Sequence, residues 1–371
     1  MPCTEHRAFL YDRGGENRIS EIWPLMRCRW ERARDDVSTA NIFAPRPDPR
    51  CITALKEIEP GRHEIAIYRN NVRVWEGPVT LTTEEGRQIT IDARDVGHYC
   101  GRTIMRSAYN NNYPKITQAV KRLEFILRHE LARKEALNPP INVLKYLDVR
   151  NLPNTAKSTR STKKFEHYVL DEMEEMAWRG GIDYVIVNRK IILFDTDDNI
   201  GEGPQITEAD FLGDIAIASY GMELATYSAV NDGLGHYGAF GGTDPYYGEI
   251  ELLHSAYDSG GDSTAAATAI SVKELTKQAE RNMKGRYPTP VVLRVPQNST
   301  LTPDSATRLM DYLIPGVRFP VRATNTYRQL EQVQKLDRVV FEETEAGETI
   351  NITLSPAPGK TPWDDEGQTG V

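Results

Sequence analysis

The alternation of hydrophobic and polar residues is clearest in the run from Tyr68 to Ile91. Val72 and Val74 flank a polar residue, and this period of two predicts a half-buried strand. Asn70-Asn71 tolerates the positive φ of a tight turn, and Glu85-Gly86 indicates a second turn. We therefore predict a meander of at least four short strands, which is typical of a small barrel or sandwich.

The segment Trp75-Glu76-Gly77-Pro78 interrupts this meander. Pro78 has no backbone N–H to donate to a strand ladder, so it favours a break at this point. Such a break bends a strand at the corner of a barrel. Ordinary turn chemistry is the alternative interpretation, and the sequence leaves both open.

Hydrophobic residues recur every three or four positions in two segments near the middle of the chain, which is the period of a helix. The first segment predicts a helix over residues 114–137, with Pro114 in its first turn. The second predicts a helix over residues 161–179, in which Phe165 and Val169 share an apolar face with two methionines. The run DYVIVNRKIILFD, directly after this helix, predicts a hairpin.

Strand patterns return after residue 206, with one further helix predicted over residues 265–285. The whole pattern predicts an α+β fold in which two antiparallel β-barrel or sandwich units flank a mixed α/β insert. We predict four parts: a β domain at 1–110, an insert of two helices and a hairpin at 111–205, a second β domain with a helix at 206–355, and an extended tail at 356–371. The tail is polar, and we expect a neighbouring chain to hold it.

Charge is distributed unevenly along the 371 residues, although the net charge is only -8. Residues 101–164 contain 14 Lys and Arg but 4 Asp and Glu, whereas residues 165–270 contain 3 and 20. Two solvated faces would explain this pattern, but complementary contact between copies or with a partner also would. We predict a contact between the basic helix 115–134 and the acidic stretch 195–214. The candidate contact residues are Lys121, Arg122, Arg128, Arg133, Asp195, Asp197, Asp198 and Asp210.

Motifs for catalysis or cofactor binding give little support. The run GLGHYG at 233–238 matches G-x-G-x-x-G, but AFGGTDPYYG after it does not predict the helix that a dinucleotide site requires. The run DTDDNIGEG at 195–203 has alternating oxygen ligands, but Ile200 stands where a calcium loop needs glycine. We therefore predict no cofactor and no metal site. We interpret the acidic run as a turn, and a cation bound at Asp195-Asn199 is the alternative that its ligand types leave open. A pair of carboxylates of glycosidase type cannot be chosen from sequence.

The remaining features concern partners and location. KSTRSTKK at 157–164 could contact phosphates, but an exposed linker explains it as well. The four cysteines have no C-x-x-C spacing, which favours reduced thiols. The N-terminus has no apolar secretory segment, and no apolar stretch is long enough to span a membrane. We expect the chain to fold in the cytosol where it is made.

Several of these segments together resemble the minor tail proteins of long-tailed phages, particularly those of actinobacteria. The resemblance is carried by RCRWERARDD at 27–36, the hairpin IAIYRNNVRVWEGPV, and the segment ITIDARDVGHYCGRTI. In the C-terminal half it is carried by LTKQAERNMKGRYPTP, LIPGVRF and LDRVVFEETEAGETINITLSP. Asn71 stands where such hairpins commonly have glycine. The resemblance covers roughly residues 20–355 and includes no catalytic motif.

The resemblance implies a baseplate or tail-tip hub, a structural protein of the virion and not an enzyme. Hubs of this kind have two domains similar to the tail-tube barrel, and three copies form a pseudo-sixfold ring through which DNA and the tape measure pass. The implied partners are two further copies, the distal tail protein, the tape measure protein and other minor tail proteins. The implied location is the tail tip, after synthesis in the cytoplasm of a bacterial host. A tail-associated cell-wall hydrolase and a receptor-binding tip module are the alternatives.

Overall fold

We describe the chain from a computed structural model. The residues described are 5–45, 58–86, 88–110, 113–150, 161–178, 181–196, 200–219, 221–232, 235–255, 272–283, 286, 291–295, 299–325 and 329–356. Two compact units are distinguished. The first comprises 1–214, 295–320 and 335–355, and the second includes 215–294 and 321–334. The division into four parts that the sequence indicates remains a prediction.

Strands dominate the described residues. In the first part of the chain they are β1 (His6–Tyr11), β2 (Arg18–Ile22), β3 (Arg27–Ala33), β4 (Thr39–Pro45), β5 (Glu64–Arg69), β6 (Val72–Glu85), β7 (Gln88–Arg94), β8 (Asp148–Val149), β9 (Asp183–Val187) and β10 (Lys190–Phe194). Further along they are β11 (Ile206–Thr207), β12 (Ala216–Ser219), β13 (Tyr227–Asn231), β14 (Tyr237–Gly241), β15 (Glu251–Ser255), β16 (Val291–Arg294), β17 (Ser299–Thr300), β18 (Arg318–Ala323), β19 (Leu330–Thr344) and β20 (Gly347–Pro356).

Helices are fewer. The α-helices described are α1 (His98–Gly101), α2 (Ala119–Glu135), α3 (Val169–Trp178), α4 (Val272–Met283) and α5 (Pro303–Leu309). Single 3₁₀ turns occupy Leu144–Tyr146, Glu208–Asp210, Gly221–Glu223 and Met310–Tyr312. These elements confirm the predicted α+β class, with strands in the majority.

The principal sheet has the strand order β11-β18-β19-β3-β4-β7-β6-β5-β1-β2, with β20 paired to β19 and β17 paired to β20. Strand β3 pairs with β19 in antiparallel register, so segments from opposite ends of the chain share one sheet. Trp30 and Phe341 face each other across this pair, with ring centroids 4.0 Å apart and both side chains buried. Burial of two large aromatic rings is a strong reason for distant segments to pair.

The predicted meander consists of three strands, β5, β6 and β7, and not four. The Asn70-Asn71 turn is confirmed, with φ of 48° and 63°. A bulge at Val74 shifts the register, because Ile67 pairs with Trp75 while Tyr68 pairs with Arg73. Trp75 is consequently buried, and the predicted burial of Val72 is wrong, since its side chain is 64% exposed.

Gly77 and Pro78 lie where β6 changes partner. The residues up to Pro78 pair with β5, and the residues from Val79 onward pair with β7. Strand β6 is thus continuous through the predicted break. At that point it stops pairing with β5 and begins pairing with β7. A Cβ on Gly77 would lie 1.9 Å from the carbonyl oxygen of Arg94, so only glycine allows this close approach.

Helices α2 and α3 form a separate core with the β9–β10 hairpin. Leu123, Leu127 and Leu131 are fully buried on one face of α2, as their spacing predicts. The hairpin is confirmed in antiparallel register, with Asn188 at φ 55° in its turn.

Both helices begin later than predicted. Helix α2 begins at Ala119, so Pro114 precedes its first turn. Helix α3 begins at Val169, because the backbone before it pairs in extended form: Ile104 bridges Tyr168, and Tyr109 bridges Thr162.

Phe165 does not share the apolar face of α3. It has a positive φ of 65°, and its side chain is 63% exposed. Val169 and Met173, by contrast, are fully buried in the same core as α2. The apolar face predicted for the second helix is therefore confirmed only from Val169 onward.

In the second unit, α4 packs on the three-stranded sheet β14-β13-β15. Strands β13 and β15 are parallel, and β13 and β14 are antiparallel. Val230, Leu275 and Ala279 form the buried contact between helix and sheet. A Cβ on Gly238 would lie 2.2 Å from the backbone nitrogen of Thr276, so glycine permits this packing. The helix predicted over 265–285 is found at Val272–Met283, and residues 265–271 lie outside the described residues.

Candidate functional site

Among the candidate contact residues on α2, two are exposed, one is partly buried and one is buried. Lys121 and Arg128 are exposed, and Arg128 pairs with Glu124 over 2.9 Å within the helix. Arg133 is partly buried and donates to a backbone carbonyl outside the helix. Arg122 is 1% exposed, donates to the carbonyl oxygen of Asn110 over 3.2 Å, and has its pKa lowered by burial.

The acidic candidates are not at the surface where they are described. Asp195 is buried, and Asp210 is 7% exposed. Asp210 accepts hydrogen bonds from Ser305 Oγ at 2.5 Å and Arg308 Nη2 at 2.5 Å. Burial would raise the pKa of Asp210, but these bonds and one from the backbone of Thr207 outweigh burial and lower it.

Three of the predicted contact residues, Arg122, Asp195 and Asp210, are buried within the chain. The contact between the basic helix and the acidic stretch remains a prediction. Asp197 and Asp198 lie outside the described residues. The structure does not bring the basic and acidic candidates together, and Lys121 and Arg128 remain the exposed pair on α2.

A buried ion cluster joins the β9–β10 hairpin to strands β5 and β6. Arg189, in the hairpin turn, pairs with Glu64 and lies 3.6 Å from Glu76. Glu64 also accepts from the hydroxyl of Tyr99 at 2.5 Å, and Arg73 donates to Glu76 at 2.9 Å. Burial is the main cause that raises the pKa of Glu76 and of Tyr99. The five side chains satisfy one another, which is what buried charges require.

This cluster is where two carboxylates converge, the arrangement that a hydrolase would need. Glu64 is 1% exposed and Glu76 is 4% exposed, and both point at the same guanidinium. Both carboxylates are thus almost closed to solvent. The geometry serves to hold the hairpin against the strands.

A second ion cluster joins the end of β3 and the start of β9 to the middle of β19. Arg34 donates to Asp183 at 2.7 Å and to Asp337 at 2.6 Å, and Lys335 donates to Asp183 at 3.0 Å. Burial alone would lower the pKa of Arg34, but the two carboxylates raise it. Asp35 accepts from the backbone of Tyr184 at 2.8 Å, and burial together with the charge of Asp183 raises the pKa of Asp35 to about 7.

The sequence did not single out either cluster. Arg34, Asp183, Glu64 and Arg189 stand in strand patterns where charged residues normally face solvent. Their partners are distant along the chain, so no local spacing reveals them. A charged residue at an inward strand position, such as Glu64 before Ile65, is the one signal that could have indicated a buried partner.

Other candidate chemistry finds no support in the described part of the chain. There, no group of three or more His, Cys, Asp or Glu side chains could hold a metal ion. Cys28 and Cys100 are buried thiols, and burial raises the pKa of Cys100 to about 12. Cys3 and Cys51, with Asn199 of the acidic run, lie outside the described residues. No helix among the described residues has the length and apolar character that a membrane span requires.

The described residues of GLGHYG do not lead into the helix that a dinucleotide site requires. Its last two residues lie in β14, and the residues after them form strand and turn, so no helix N-terminus is available there for a phosphate. Residues 233 and 234 lie outside the described residues, as do the first four residues of KSTRSTKK. The extended tail predicted at 356–371 is described only at Pro356, the last residue of β20.

The sequence matches no protein-family model and no curated protein. In three dimensions the chain is similar to the 43 kDa tail protein of prophage MuSo2 from Shewanella oneidensis. The TM-score is 0.58 at 11% identity, over 96% of this chain and 100% of that chain. It is also similar to the tail protein from Neisseria meningitidis MC58, with a TM-score of 0.57 at 11% identity over 95% of this chain and 96% of that one.

A third similar structure is the E. coli protein c3393, a component of the type VI secretion system that exhibits structural similarity to the T4 bacteriophage tail proteins gp27 and gp5. Its TM-score is 0.52 at 13% identity, over 95% of this chain and 79% of that one. Identities this low establish likeness of fold alone. The chain therefore has the α+β fold of phage and prophage tail proteins, and the resemblance seen in the sequence is confirmed at the level of the fold.

Proposed function

We propose that this chain is a structural protein of a phage tail, located at the tail tip or baseplate. In this proposal three copies form a hub ring that joins the tail tube to the tip and lets DNA and the tape measure pass. The observation that carries the proposal is the extent of the likeness to prophage tail proteins, which covers 95% or more of this chain. The whole polypeptide is built as such proteins are built, and not only one module of it.

The ion clusters support an assembly role over catalysis. Arg189 with Glu64, and Arg34 with Asp183, use buried charges to fix the hairpin β9–β10 against the strands of its own unit. Glu64 and Asp183 are each 1% exposed and paired with a guanidinium, which is the arrangement that a structural ion pair requires. Rigid placement of an insert on a sheet is useful to a protein that must present the same surfaces in every copy.

The finer features of the proposal come from the sequence resemblance. They are the long-tailed phage of actinobacterial type and the contacts with the distal tail protein, the tape measure protein and other minor tail proteins. A location in the virion follows from the same reasoning. The net charge of -8 suits a conduit for DNA, because a basic lumen would retain the phosphates.

The test is the symmetry and copy number of the full-length protein. We expect native mass spectrometry and electron microscopy of the purified chain to give a threefold ring, and electron microscopy of tails to place it at the tip. A chain that stays monomeric both alone and in isolated tails would overturn the hub. Cell-wall hydrolysis that a single carboxylate substitution abolishes would instead favour an enzyme.

A further inference from the structure

A mixed apolar and basic surface lies beside α2 in the first unit. Residues 102–106 follow α1, with Arg102 as its C-cap, and their side chains alternate between core and solvent: Thr103 and Met105 are buried, while Arg102, Ile104 and Arg106 are exposed. This alternation leaves the three side chains of an Arg-Ile-Arg pattern exposed to solvent, with Ile104 in an isolated bridge between them.

Aromatic side chains extend the apolar part of this surface. Ile104 forms an antiparallel bridge with Tyr168, so the two side chains stand next to each other on the same face. Ile104 is 43% exposed and Tyr168 is 43% exposed. Phe165, three residues earlier, donates its backbone N–H to Met105 and leaves its own ring exposed. We call Arg102, Ile104, Arg106, Arg133, Phe165 and Tyr168 the Ile104 surface.

The cations of the Ile104 surface have no carboxylate partner in the part of the chain that the structure describes. Arg133 donates to the carbonyl oxygen of Ile104 at 2.8 Å, and Lys134 beside it donates to that of Arg102 at 2.8 Å. Among the described residues, none of Arg102, Arg106, Arg133 and Lys134 forms an ion pair. Burial, followed by repulsion from Arg106, lowers the pKa of Arg133. Burial is also the main cause of the fall in the pKa of Lys134 to about 8, and Arg133 and Arg102 add to it.

The carboxylates of α2 are used elsewhere. Glu130 accepts from the backbone nitrogens of Arg106 and Ser107 at 3.1 and 3.0 Å and from the hydroxyl of Tyr109 at 2.8 Å. Glu135 accepts from three successive backbone nitrogens, those of residues 142–144. Glu130 and Glu135 are thus turned to amide donors, and the third carboxylate of the helix, Glu124, pairs with Arg128, so none of the three neutralises the arginines beside Ile104.

We propose that the Ile104 surface binds an acidic polypeptide segment of a partner protein, with an apolar or aromatic side chain of that segment on Ile104 and Tyr168. An apolar centre with a charged rim is the usual composition of a protein interface. The exposed cations that repel one another select a partner of opposite charge. The apolar centre favours a polypeptide over a nucleic acid, whose backbone would contact the arginines and leave Ile104 unused.

Binding to the full-length protein can be measured by fluorescence anisotropy with three labelled probes. The probes are a random copolymer of glutamate and tyrosine, a polyglutamate of the same length, and a DNA duplex of similar charge. We expect the copolymer to bind most tightly. The Arg102→Gln/Arg106→Gln variant should weaken both acidic polypeptides by about tenfold, equivalent to about 1.4 kcal/mol. Ile104→Ser should weaken the copolymer about fivefold and leave polyglutamate unchanged, because it removes only apolar contact.

The matched control is Arg29→Gln/Arg62→Gln, which removes the same charge at two exposed positions that are not part of the Ile104 surface. It should change each affinity by less than twofold, and circular dichroism should show every variant folded. The proposal is overturned if the copolymer does not bind, if the control weakens it equally, or if DNA binds as tightly and Ile104→Ser has no effect. The proposal is also overturned if the chain self-associates and only Arg102→Gln/Arg106→Gln abolishes that self-association. The Ile104 surface would then bind a second copy of the chain.

Discussion

Arg34 donates a hydrogen bond from Nη1 to Oδ2 of Asp183 over 2.7 Å, and this contact joins the end of β3 to β9. Asp183 is almost fully buried, and Lys335 is its second cation. A strand of the principal sheet is thereby fixed to the hairpin of the helical core. Contacts of this kind make specific predictions, because a buried charge that loses its partner is costly.

Removal of Arg34 should destabilise the protein strongly. We expect Arg34→Met to lower the free energy of unfolding by about 3 kcal/mol, since Asp337 and Asp183 lose a cation in a buried site. Urea denaturation followed by tryptophan fluorescence measures this change. The control is Arg338→Met, which breaks an exposed pair with Asp36 and should cost less than about 1 kcal/mol. Equal effects of the two substitutions would contradict a special role for Arg34.

The cluster around Arg189 should show non-additive behaviour. Glu64→Gln leaves the Arg189 guanidinium buried with a weakened partner and should cost about 3 kcal/mol. The double variant Glu64→Gln/Arg189→Met removes both charges, and we expect it to be more stable than Glu64→Gln alone. Denaturation of the two single variants and the double variant forms a double-mutant cycle. Simple additivity would show that the two residues do not act as a pair.

Gly77 should not tolerate a side chain. The Cβ of Gly77→Ala would lie 1.9 Å from the carbonyl oxygen of Arg94. The backbone must therefore distort where β6 changes from β5 to β7 as its partner. We expect a loss of about 3 kcal/mol or more, at the upper end for overpacking. Gly213→Ala is the control, because no atom lies within 4 Å of its added Cβ, and its melting temperature should stay close to that of the unchanged protein. A fully stable Gly77→Ala protein would argue against the close approach.

Stability should fall as pH rises through neutrality, in part because of Asp95. Burial raises the pKa of Asp95 from 3.8 to about 7, although Ser38 and Gly97 donate hydrogen bonds to its carboxylate. A carboxyl whose folded pKa is raised binds its proton more tightly in the folded state. Its stabilising contribution is therefore complete below about pH 4 and is lost as pH rises through about 7.

Asp95→Asn should flatten the dependence of unfolding free energy on pH between 4 and 8, by up to about 4 kcal/mol over that interval. The substitution also disturbs the hydrogen bonds to Ser38, so the slope is the informative quantity and not the absolute stability. Urea denaturation at each pH gives that slope. Asp304→Asn, at an exposed position, is the control and should leave the slope unchanged. If Asp95→Asn and the unchanged protein show the same slope, Asp95 is not a source of the pH dependence.

The exposed cations of α2 should affect assembly and not folding. We expect Lys121→Glu/Arg128→Glu to shift the proposed trimer towards monomer by about tenfold in its dissociation constant, since rim charges steer and orient contacts. Sedimentation velocity measures this shift at several concentrations. Lys145→Glu/Arg62→Glu makes the same change of charge at exposed positions outside α2 and should leave assembly intact. Unchanged assembly in both variants would remove α2 from the contact.

Local patterns in the sequence determined which elements form. The spacing of Leu123, Leu127 and Leu131 predicted a helix with one apolar face, and the structure confirms it. The Asn70-Asn71 turn and the hairpin of β9 and β10 were predicted in the same way. These features depend on neighbours within a few residues, so period and turn chemistry are sufficient to find them.

Tertiary contacts decided which charged residues are buried and which strands pair. Arg122, Asp195 and Asp210 have the composition of surface charges, but packing encloses them, and no local signal distinguishes them from Lys121. The pairing of β3 with β19 likewise depends on segments at opposite ends of the chain.

The Ile104 surface could not be predicted from local patterns either. Tyr168 and Arg133 are distant from Ile104 along the chain and contact it only in the folded protein. The sequence by itself thus determined the elements and their class. Only the tertiary structure decided which charges are buried and which remain to meet a partner, since burial depends on the sum of distant contacts.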